Sequence, residues 1–135
     1  MPYPQTLPER FAGALVGLAV AGAGAWVLIS PPVSYVGIGA LLTIVWGALL
    51  AAGGVLMAAG WAMRSYKLEL PGVTFALGGL AIYALLSWQQ TLGDSLGSGP
   101  RALLITAGAI LALLRLVRLA RTSRDARWIA EVRIE

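Results

Sequence analysis

Arg115, Arg118, Arg121, Arg124 and Arg127 fall at every third position, and Trp128 follows them directly. A guanidinium is permanently charged and its planar fork matches phosphate. The chemistry open to this run is pairing with anionic lipid headgroups, at about 1 kcal/mol per residue close to the surface. A three-residue step falls about 60° short of a full helical turn, so the five spread around a helix rather than form a stripe. They read as a basic membrane-surface extension, with Trp128 suited to the headgroup level. Arginines held at headgroups make a poor nucleic-acid module, and no nucleic-acid partner is expected.

Small residues form the second pattern. Gly13, Gly17, Ala21 and Gly24 recur at helical spacing, as do Gly47, Ala51, Gly54 and Ala58. Such ridges let helix backbones approach closely, which in lipid is a main source of association. They serve either packing within one protomer or homo-oligomerisation through one ridge. The third set is polar and sparse. Tyr83 lies in mid-span and its hydroxyl needs a partner on a neighbouring helix, with Thr43 the candidate. Thr43, Ser87 and Thr106 can otherwise bond carbonyls of their own helices.

Cysteine and histidine are both absent. That removes disulfides, thiolate and imidazole metal ligands, and the usual general base. No glycine-rich phosphate loop occurs. No catalytic, cofactor-binding or metal residue is therefore expected, and the chain is not expected to be an enzyme. The arginine run resembles the fourth helix of voltage-sensor domains, but a mobile intramembrane arginine needs buried acidic partners. Glu9, Glu69 and Asp94 are read at span boundaries or in loops, which argues against voltage sensing.

These residues must be positioned by membrane helices. Of the 135 residues, 59% are hydrophobic and 12% charged, and the mean hydropathy is +0.80. A soluble domain has about twice that share of charge. No Asp, Glu, Lys or Arg occurs from Phe11 to Met63, from Leu70 to Gly93, or from Ala102 to Leu114. A helix needs about 20 apolar residues to cross a bilayer, and four segments qualify: 11–29, 36–63, 73–91 and 101–119. All the prolines are read as lying outside them. Pro31-Pro32, Leu70-Pro71-Gly72 and the Gly/Ser stretch from Gly93 to Pro100 separate the spans. The fourth is short of apolar residues and is expected to span by letting Arg115 and Arg118 snorkel to the interface. Residues 120–135 form a basic tail whose end, from Ala130, alternates apolar and charged residues like a short strand or interfacial segment. Ala21-Gly22-Ala23 offers a formal signal-cleavage site, but Glu9 beside Arg10 leaves no positive excess before it, and the first span is expected to stay. The expected fold is an all-α integral membrane four-helix bundle with a basic cytoplasmic helical extension.

Arg10, Arg64, Lys67 and the six arginines from Arg115 onward fall on one side of these spans, and Arg101 alone on the other. The positive-inside rule places both termini in the cytoplasm and the chain in the cytoplasmic membrane. Trp26, Tyr35 and Trp88 then lie toward the outer interface, and Phe11, Trp61, Tyr66 and Phe75 toward the inner one.

The layout resembles the small four-span membrane proteins of actinobacteriophages, several of them described as holin-like. The matching pieces are Pro8-Glu9-Arg10, Glu69-Leu70-Pro71-Gly72, Tyr83 and the arginine-rich end. The resemblance implies a protein that oligomerises in the cytoplasmic membrane and permeabilises it during host lysis, and it transfers no site residue. The competing expectation is a structural, accessory or inhibitory subunit docking a larger membrane complex. The partners expected are the lipid bilayer, with anionic headgroups at the tail, and either further copies of the chain or a larger membrane protein.

Overall fold

The computed structural model describes residues 6–30, 38–93, 97 and 99–134. Pro31-Pro32, Tyr35, Val36 and Asp94 fall outside them. Four helices make up almost all of the rest: α1 (Leu7–Ile29), α2 (Ile38–Met63), α3 (Tyr66–Gly93) and α4 (Gly99–Val132). Each is long and apolar enough to cross a membrane. They pack in chain order, α1 on α2, α2 on α3 and α3 on α4. Only 11% of the most apolar stretch of α1 or of α4 is buried, against 33% for α2 and α3. The expected bundle is therefore an open row, with α2 and α3 central and α1 and α4 as its rims.

Local chemistry explains the helix ends. Thr6 precedes α1, Pro8 sits in its first turn, and the Glu9 carboxylate accepts the Thr6 backbone N–H at 2.9 Å. This reciprocal capping starts α1 four residues before the uncharged run, because polar residues are favourable in a first turn. At the end of α2, Arg64 adopts φ 52° and the Ser65 N–H donates to the Gly60 carbonyl at 2.9 Å. That is a Schellman closure with arginine where glycine is usual. Arg10 of α1 reaches the same helix end and donates to the Ala62 carbonyl at 2.6 Å. A cation there satisfies orphan carbonyls and opposes the negative end of the helix dipole.

Two further boundaries differ from expectation, for one physical reason each. The helix α3 begins at Tyr66, not after Gly72, and Pro71 lies inside it. Pro71 is in the second turn, where its fixed φ suits a helix and the cost is one early hydrogen bond; membrane helices tolerate such losses. The last residues do not form a strand, since α4 runs unbroken to Val132. After Gly108 the chain has no glycine or proline, and its Ala, Leu and Arg residues favour continuation. At 1.5 Å per residue, the 34 residues of α4 span about 50 Å, roughly 20 Å more than a bilayer core.

Candidate functional site

The two ridges of small residues meet each other. A Cβ added at Gly17 would stand 2.6 Å from the Ala58 nitrogen, and one at Gly54 would strike the Ala21 backbone. Gly24 faces Ala51 and the Gly47 carbonyl, while Gly13 lies against the Trp61 ring with no room for a Cβ. All eight ridge residues are thus spent on the α1–α2 seam inside one protomer. A second copy would have to be met on another face. Gly22 is the α1 glycine left over, with open space where its Cβ would be.

A second glycine seam joins α2 to α3. A Cβ on Gly53 would be 2.6 Å from the Ala76 nitrogen, and one on Gly60 would be 2.7 Å from that of Glu69. Gly72 and Gly79 close on α2 from the other side. Their sequence signal was a seven-residue spacing, Gly53 to Gly60 and Gly72 to Gly79, or two helical turns.

The close approach at Gly60 buries Glu69. Its side chain is 1% exposed, and Arg115 of α4 lies against it, with Nη2 and Nε both 2.7 Å from Oε1. The Trp61 side chain hydrogen-bonds the same carboxylate, and the Arg115 guanidinium also lies over the Trp61 ring at 4.7 Å. Three helices therefore converge on one charge pair. This corrects the expectation that no buried acid faces the arginine run: Glu69 lies in the first turn of α3, but it is buried, and Arg115 turns inward to meet it. The other members of the run, Arg118, Arg121, Arg124 and Arg127, are exposed, as is Trp128.

From this pair an apolar cleft of about 420 Å³ runs along the row. Its floor is α2 and α3, at Met57, Val73 and Leu80, and its lips are α1 and α4, at Val20 and Leu111. Gly108 opens onto it with nothing within 4 Å of a Cβ position. Beyond the cleft, α4 is held again: Trp88 Nε1 donates to Thr106 Oγ1 at 2.9 Å, and Arg101 donates to Gln90 at 2.6 Å. Ala102 and Leu119 are the buried residues of α4.

Tyr83 stacks flat on Trp46, with ring centroids 4.3 Å apart. Thr43, one turn before Trp46, is buried. The Thr106 hydroxyl bonds the Ala102 carbonyl of its own helix at 2.8 Å. Ser87 differs: its buried hydroxyl makes no hydrogen bond among the described residues, and nor does Trp46 Nε1. Among the described residues no group of three or more acidic side chains is placed to hold a metal ion. Chemically, the site is one buried ion pair closing an apolar slot. Compared with known proteins, the chain matches no family model, no curated protein and no solved structure.

Proposed function

We propose that this protein is a holin-like membrane protein that permeabilises the cytoplasmic membrane by lateral association of its protomers, with both termini on the cytoplasmic side. The observation that supports this reading is the open row. Its rim helices each pack mainly on one neighbour, and α1 keeps an exposed face with Leu15, Leu18, Trp26 and the unoccupied Gly22. In lipid, an apolar face with a small residue at its centre is where another helix gains van der Waals contact. No part of this mechanism requires a catalytic residue. The test is induced expression in a bacterial host. Growth should stop abruptly with collapse of membrane potential, and cells holding a cytoplasmic endolysin should then lyse. In the same cells, Gly22→Cys should cross-link between copies. Sustained harmless expression ends the proposal.

The far end of α4 supports a second reading, an accessory subunit of a larger membrane complex. Trp128, Ile129 and Val132 are exposed on a helix that outruns the bilayer and could dock a partner. Under that reading expression is tolerated, and a partner is lost from the purified complex when residues 120–135 are deleted.

A further inference from the structure

The cleft between α1 and α4 has the dimensions of a single hydrocarbon chain. Along α3 it extends from Glu69 to Leu80, which at 1.5 Å per residue is about 16 Å. Half of a bilayer core is about 15 Å, so the cleft covers one leaflet and stops near the midplane. Its volume of about 420 Å³ spread over that length makes a narrow apolar slot that takes one extended acyl chain. The slot ends at the charged pair, where Arg115 is held by Glu69. With Glu69 neutralised by Arg115, the exposed Arg118 one turn beyond leaves that end positive, and guanidinium is suited to phosphate.

We propose that the cleft is a binding site for one acyl chain of an anionic phospholipid from the arginine-side leaflet, its phosphate held at Arg118. The ion pair forms the polar shelf at which chain and headgroup part. Gly108 keeps the slot open, since any side chain there would enter it. This site is independent of whether the protein permeabilises membranes.

Native mass spectrometry of the full chain in mild detergent tests it, with phosphatidylglycerol, phosphatidylcholine or palmitate added singly and in competition. The expected result is one phosphatidylglycerol per protomer, retained at least tenfold better than phosphatidylcholine or palmitate. Gly108→Phe should abolish that adduct with helicity and thermal midpoint unchanged, and Ala112→Leu provides the same block should Gly108→Phe not fold. Arg118→Gln should keep the slot and lose the preference for the anionic headgroup. An adduct that survives a folded blocking variant overturns the proposal. So does equal retention of phosphatidylcholine or palmitate, or the absence of any one-to-one adduct.

Discussion

The α1–α2 seam and the α3–α4 seam solve the same problem by opposite means. In the first, glycine and alanine bring two backbones together along the whole contact, with Gly17, Gly24 and Gly54 each lacking room for a Cβ. In the second, α4 is held at two points by polar side chains, Arg115 on Glu69 and Thr106 on Trp88, and the cleft opens beside the stretch between them. Lipid gives no hydrophobic drive for helices to associate, so packing contacts and interhelical hydrogen bonds are the available sources. A packed seam is stiff because close-packed surfaces lose contact with small displacements. A seam made of two clamps can yield at one and hold at the other.

Substitutions separate the two. Gly54→Leu should cost about 3 kcal/mol or more, the upper end for overpacking, as a fall in unfolding midpoint in detergent with the α1–α2 distance increased between spin labels. Arg115→Ala should cost about 3 kcal/mol, the low end for removing one partner of a buried pair, because Arg115 itself is partly exposed. Spin labels should then report a looser α3–α4 distance and an unchanged α1–α2 distance. Replacing both partners, Glu69→Leu with Arg115→Leu, should recover most of that loss, since an apolar pair avoids the desolvation of both ions. Thr106→Val removes the other clamp and should cost about 0.6 kcal/mol, typical of an interhelical bond in lipid. Arg64→Gly should have the smallest effect, a gain of about 0.5 kcal/mol measured by the same unfolding, because glycine relieves the left-handed backbone at the α2 terminus. A larger effect at Thr106 than at Gly54 would break the contrast between the seams.

The packed seam was the legible one. Its residues repeat every three or four positions within single helices, a local signal that hydropathy and spacing carry. Helix number followed from the same uncharged runs. The clamped seam was hidden for two reasons. Pro71 reads as a break in sequence, although near a helix start it is tolerated, and that reading moved Glu69 out of its helix. Arg115, in turn, is 46 residues from Glu69, and nothing local distinguishes it from the exposed arginines that follow at the same spacing. The cleft has no sequence signature, being defined by the gap left between α1 and α4.

Packing in chain order also sets a timetable. Each helix finds its main partner in the one made just before it, so contacts are local in sequence and assembly can keep pace with synthesis. The α1–α2 hairpin can close while α3 is still being made, and α3 can then dock on α2. Glu69 meanwhile enters its buried position without its guanidinium, which leaves the ribosome 46 residues later. The ion pair is therefore the last of the three seams to be closed. A nascent chain arrested between Gly93 and Arg115 would hold two finished helix contacts and one acid still awaiting its counter-charge.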